Sequence, residues 1–131
     1  MKRACCEGLV SVIDWYFRVW ERGLDFAGRS QRAEFWWFYL CNLLITSGLA
    51  IIGQHFVGSR LPWELYGLAV LIPSLAVRIR RLHDTDRSGW WLLLELVPVL
   101  GWIVLLVFFC EAGQPAENRF GPDPRVALPV V

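Results

Sequence analysis

Residues Phe35 to Val57 form a run of 23 positions with no Asp, Glu, Lys or Arg. At 1.5 Å of helical rise per residue, such a run reaches across a hydrocarbon layer of about 30 Å. No other feature limits the possible folds as strongly. A backbone in lipid must satisfy its own polar groups, so the run is expected to be a membrane-spanning helix. The rest of the chain agrees with a membrane setting. The hydrophobic share is 56%, and only 19% of the 131 residues are charged. Mean hydropathy is +0.43, more apolar than a soluble domain usually is. Eight tryptophans suit a chain whose ends lie at headgroup level, where the indole ring is buried and its N–H stays wet.

The expected fold class is an all-α membrane protein in a single domain, with three transmembrane helices preceded by an N-terminal amphipathic helix. Residues 9–22 carry Ser11, Asp14, Arg18 and Glu21 on one stripe, with apolar side chains around the rest. Such a helix either lies in the interface plane or packs against the bundle. Gly23 to Gln31 reads as a turn. The three spans are placed at about 35–57, 61–77 and 90–110. A kink is expected at Pro73, and Pro98 and Gly101 interrupt the third span. If those two residues turn the third segment back as a re-entrant hairpin, the tail returns to the side it came from. The continuous span is the reading adopted here. Residues 111–131 form a polar tail rich in Pro and Gly, either disordered or folded back with Phe120 as an anchor.

Three spans place the termini on opposite sides. Residues 1–33 hold six basic residues and the 78–89 loop holds four, against three elsewhere: Arg60, Arg119 and Arg125. The positive-inside rule then makes the N-terminus and the arginine loop cytoplasmic and the tail external. No cleavable signal peptide is expected, because the apolar run from Gly8 to Ile13 is short and meets Asp14.

Arg78, Arg80, Arg81, His83 and Arg87 are the candidate ligands for a lipid headgroup or another anion. The simpler account makes the arginines topology anchors on anionic lipid, each contributing about 1 kcal/mol near the surface. Glu95 lies five residues past Trp90, about 7 Å below the headgroups. A carboxylate there must be paired, protonated or facing water. Asn42, Thr46 and Ser74 reach a similar depth from the other spans and are its expected neighbours, with Arg80 and Arg81 as partners if it snorkels. Asn42, Thr46, Ala50 and Gly53 also make a small or polar stripe suited to a close helix–helix seam. His83, Asp84 and Asp86 are too few and too surrounded by arginine to suggest a metal site. The two aspartates are expected to offset the arginine charge, and Ser88 to cap the next helix. Cys5, Cys6, Cys41 and Cys110 match no zinc or haem spacing.

Four segments together resemble a known family: LDFAGRSQRAEFW (Leu24–Trp36), RRLHDTDRSGWW (Arg80–Trp91), PVLGWIVLLVFFC (Pro98–Cys110) and ENRFGPDP (Glu117–Pro124). They are similar to the domain of unknown function 805 family, small integral proteins of the bacterial inner membrane. The resemblance runs from about Val12 to Pro124. It implies a multi-pass inner-membrane location and transfers no catalytic residue. The family often shows glycine at the position of Asp86 and a neutral residue at that of Glu95, so a proton site at Glu95 would belong to this chain alone.

No nucleophile–base pair, phosphate loop or metal constellation is present, so neither an enzyme nor a cofactor is expected. Nor is nucleic acid an expected partner. The leading expectation is a structural or regulatory membrane protein that works through lipids, chiefly anionic ones, or through protein partners at the cytoplasmic face. Those partners include further copies of itself. The alternative is a subunit of a small oligomeric transporter or channel, with Glu95 as its proton or cation site.

Overall fold

The computed structural model describes the backbone of residues 4–125 and the side chains of residues 12–125. The Cys5–Cys6 pair and the last six residues of the tail fall outside the described side chains. Among the described residues the chain is all-helical: α1 (Ala4–Glu21), α2 (Arg32–Ile52), α3 (Leu61–Asp84) and α4 (Leu100–Cys110). A π-helical turn, Gly53–Val57, extends α2, and a 3-10 segment, Gly89–Leu96, precedes α4.

Helix α1 packs against the bundle. Val19 is fully buried, and the Tyr16 ring stacks on Phe38 with centroids 5.7 Å apart. The opposite side of α1, with Ile13 and Phe17, stays exposed. The buried face of its amphipathic pattern is thus a packing face within the bundle.

Helix α2 and its π turn span Arg32–Val57, 26 residues. Among the described residues this is the one helix both long and apolar enough to cross a membrane. It stops where Gly58 takes a left-handed conformation (φ 66°), which an L side chain rarely adopts. Gly53 is needed there for another reason: a Cβ on it would lie 2.7 Å from the Ser59 carbonyl oxygen. The Ser59 hydroxyl then accepts from the Leu61 amide at 3.2 Å, and Pro62 enters α3 in its first turn, where its missing N–H costs nothing. Helix α3 is long at 24 residues but carries Glu64, Arg78, Arg80 and Arg81. It runs through Pro73 as one helix.

Residues 90–110, expected as a single span, are two pieces. At 11 residues α4 is too short for a 30 Å layer. The break has three local causes. Pro98 has no N–H to give a helix. Val99 adopts φ 65° and ψ −67°, and the Leu100 amide closes back on the Pro98 carbonyl at 2.8 Å, a tight γ-turn. A Cβ on Gly101 would lie 1.8 Å from the Leu94 carbonyl oxygen, so only glycine lets α4 pass that close. The indole N–H of Trp102 donates to the Glu95 carbonyl at 3.1 Å and ties the two arms together.

The core gathers at one end of the molecule. Val19, Phe35, Phe38, Val77, Leu82 and Phe109 are buried there. Away from it, α2 and α3 expose Leu43, Leu44, Ile51, Leu65 and Leu68, which suits lipid as solvent. The tail runs back over the buried end, against the arginine loop.

Candidate functional site

The buried end is capped by a network of charges centred on Asp84, the last residue of α3. Arg29, from the turn between α1 and α2, donates from Nε to Asp84 Oδ1 at 3.0 Å. Arg81, one turn back along α3, donates to Oδ2. Side-chain exposure is 1% for Arg29 and 6% for Asp84, and 0% for Arg81. Two buried guanidinium groups on one carboxylate leave a net positive charge, which backbone carbonyls disperse. Arg29 also donates to the carbonyls of Gln114 (2.5 Å) and Ala116 (2.7 Å) in the tail. Arg81 donates to those of Phe109 (3.2 Å) and Glu111 at the end of α4. These last carbonyls of α4 have no intrahelical partner, and the helix dipole makes them favour a cation.

All four loop arginines are bound within the protein. Arg78 donates from Nη1 to both Glu95 oxygens, at 2.6 and 2.8 Å, and from Nε to the Tyr39 hydroxyl. Arg80 is fully buried, with Nη2 3.6 Å from Glu34 Oε1. Its Nη atoms and that oxygen make no hydrogen bond among the described residues, so the attraction is coulombic. Arg87 bonds Glu111 at 2.6 Å and lies 4.0 Å over the Phe108 ring. Arg78 and Arg81, three residues apart on α3, go to separate carboxylates.

His83 joins the loop to the tail. Its Nδ1 donates to the Gly28 carbonyl at 3.0 Å, which fixes a proton on that nitrogen because a carbonyl only accepts. Phe120 stacks on the ring at 3.9 Å and 2°. Asn118 donates to the His83 carbonyl at 2.9 Å. Burial, assisted by nearby Arg119, pushes the imidazole below its ordinary pKa. Asp86 adopts φ 57° and pairs with Arg119 at 3.0 Å. The left-handed backbone there accounts for the glycine common at this position in the family that the sequence resembles. Ser88 accepts from the Trp90 amide at 3.2 Å, as expected of a cap.

Asn42, Thr46 and Ser74, the neighbours expected of Glu95, are not brought together around it. That carboxylate takes Arg78; Arg80 and Arg81, its partners in the snorkelling alternative, go to Glu34 and Asp84. Asn42 donates to the Phe38 carbonyl at 2.7 Å and accepts from the Tyr66 hydroxyl at 2.5 Å. Tyr16 meets Tyr66 at 2.9 Å, so a polar chain links α1, α3 and α2. Ser74 turns back on the Leu71 carbonyl at 2.8 Å, and Thr46 is half-buried along α2. Among the described residues no group of His, Cys, Asp or Glu is arranged to hold a metal.

Arg29, Glu34 and Tyr39 were missed in the sequence, although Arg29 and Glu34 lie in one of the four segments that carry the resemblance. The basic side chains turned outward at this end are others again. Arg18 lies 4.9 Å over the Trp15 ring, and the exposed Arg32 has a single 3.4 Å contact with the Cys110 carbonyl.

The sequence of residues 23–122, the whole of this cap and its hairpin, matches the family described as protein of unknown function (DUF805). The chain belongs to this family. Proteins similar to this DUF805 chain include two of Escherichia coli strain K12. The inner membrane protein YhaI is 48% identical over 115 residues, covering 86% of this chain and 97% of YhaI. The inner membrane protein YhaH is 45% identical over 119 residues, covering 87% and 98%. The uncharacterized protein YiiR of the same strain is 32% identical over 107 residues, covering 75% and 67%. The names of the first two support a bacterial inner-membrane location for this DUF805 chain. No solved structure matches it.

Proposed function

We propose that this DUF805 chain is a non-enzymatic structural or regulatory protein of the inner membrane, working through anionic lipid or protein partners at its cytoplasmic face. The observation that carries the reading is that each of the four loop arginines faces a carboxylate of the protein itself, Arg78, Arg81 and Arg87 through hydrogen bonds and Arg80 through charge alone. They brace a rigid polar cap, from which Arg18 and Arg32 face outward to meet a partner. Topology follows the same lines. Helices α2 and α3 cross the membrane as an antiparallel pair, and the 3-10 segment with α4 dips in and returns. The tail, held by Arg29 and His83, shares the cytoplasmic face with the loop. Every basic residue except Arg60 then belongs by chain position to that face, a stronger positive-inside bias than three spans would give. Transport centred on Glu95 has less support, since Arg78 holds both carboxylate oxygens.

The test is the thermal stability of the purified protein titrated with phosphatidylglycerol at low and high salt. Stabilisation at low salt is expected, lost at high salt by screening and reduced in Arg18→Gln/Arg32→Gln. Stability indifferent to lipid, together with proton or cation flux above leak in vesicles, would overturn the reading.

A further inference from the structure

On the membrane side of the cap, α2, the 3-10 segment and α4 enclose a lateral groove of about 230 Å³. Its walls are apolar, with Phe35, Trp36, Trp102, Leu105 and Leu106 among them, and Tyr39, Arg78 and Glu95 stand at one side. Within the α3 helix Arg78 lies five residues before His83, about 7 Å below the cap at helical rise. That is the depth at which headgroups give way to chains.

The ion pair is not closed off. Side-chain exposure is 22% for Arg78 and 44% for Glu95. Arg78 commits Nε to Tyr39 and Nη1 to Glu95, and among the described residues Nη2 has no partner. Both Glu95 bonds come from the one nitrogen, so each oxygen keeps a free lone pair. An open donor and an open acceptor therefore lie side by side, of opposite charge, at the rim of an apolar groove.

We propose that this groove binds one zwitterionic phospholipid, with an acyl chain along the apolar wall, the phosphate on Arg78 and the ammonium on Glu95. Charge complementarity selects that occupant. The pair has no net charge, so a headgroup that is only anionic meets Glu95 as a repulsive neighbour, and a simple cation meets Arg78. A headgroup carrying both signs satisfies both open positions. The proposal rests on the membrane placement and is independent of the anionic-lipid reading of the cap.

The experiment is native mass spectrometry of the full chain, purified in mild detergent and supplied with equal phosphatidylethanolamine and phosphatidylglycerol. One retained phosphatidylethanolamine per chain is expected, in about five-fold preference, the ratio to which a partly exposed charge pair of about 1 kcal/mol corresponds. Glu95→Gln removes the partner of the ammonium while leaving Arg78, and the preference should vanish or reverse. Leu106→Trp fills the groove from its exposed side, leaves the ion pair alone and should abolish retention; it decides the matter if the Glu95 variant does not fold. Equal retention of the two lipids by the unmodified chain overturns the proposal. So does a preference that survives Leu106→Trp, or one that survives Glu95→Gln in folded protein. If the salt-sensitive stabilisation by phosphatidylglycerol persists in those cases, only this inference fails.

Discussion

Gly113 in the tail sits against the Asp84 carboxylate so closely that a Cβ on it would lie 1.9 Å from Oδ2. The tail is therefore fitted to the charge at the end of α3, and the absence of a side chain at one position makes the fit possible.

The first prediction is that Gly113→Ala displaces either the tail or the carboxylate, at a cost of about 1–3 kcal/mol. Gly48→Ala serves as the control, since a Cβ there meets nothing within 4 Å. It should leave stability unchanged or raise it by up to about 1 kcal/mol. Thermal unfolding of both variants in detergent checks the contrast, and equal midpoints would show that the tail does not dock at Asp84.

Asp84→Asn keeps the shape of the side chain and removes its charge. Arg29 and Arg81 would then be buried cations without a counter-charge, a loss of about 3–5 kcal/mol. Limited proteolysis should report it, with cleavage appearing in residues 112–125 of the variant before any helix is cut. A variant as resistant as the parent protein would mean that the carbonyls of the tail and α4 suffice to hold both guanidinium groups.

The hairpin depends on Gly101 and tolerates Val99. Gly101→Ala should open it, because the added methyl overlaps the Leu94 carbonyl oxygen. Val99→Gly should stabilise it by about 1–2 kcal/mol, since a β-branched residue at positive φ is strained. Labelling of a single cysteine placed at Ala112 reads the geometry. With the hairpin intact it should react from the same side of the membrane as one placed at Thr85, and reaction from the opposite side would restore the three-span topology.

The His83 ring sets a pH dependence. Its folded pKa lies below the unfolded value of about 6.5, so the neutral form is favoured in the fold. The stabilisation it contributes is present above about pH 6.5 and is lost as pH falls through the lower, folded value. Around it stand Phe120 and Arg119 from the tail, the Gly28 carbonyl, and beyond them Asp84 and Asp86. Hydrogen exchange of the tail amides should accelerate between pH 7.5 and mildly acidic conditions, after correction for intrinsic rates. His83→Gln should flatten that change, and an unaltered pH response in the variant would assign it to other groups.

Some of this was legible in the residues themselves. The uncharged run after Phe35 marks a helix long and apolar enough to cross a membrane, and the resemblance carried the inner-membrane setting that the relatives' names support. Pro98 and Gly101 were visible as interruptions, yet whether they bend a spanning helix or reverse it is not a local property. It depends on Gly101 passing the Leu94 carbonyl and on the tail finding Arg29 across 85 residues of chain and His83 across 35. Glu95 shows the same division. Counting rise along the chain gave it an expected depth and expected neighbours in Asn42 and Ser74. Rotation about each helix axis was not readable, and it turned Asn42 toward Tyr66 and Arg78 toward Glu95.

The sequence by itself determined which segments prefer lipid and which end of the molecule is basic, because hydropathy and charge act locally and add along the chain. Only the tertiary structure decided what each charge is for. A guanidinium near a membrane surface satisfies itself equally well on lipid phosphate or on a protein carboxylate, and the choice follows from which groups the packing brings within about 3 Å. Here Asp84, Glu34, Glu95 and Glu111 reach the loop arginines first, so the most basic stretch of the chain braces the fold, and the outward-facing cations lie elsewhere, on α1, at the start of α2 and in the tail at Arg119 and Arg125.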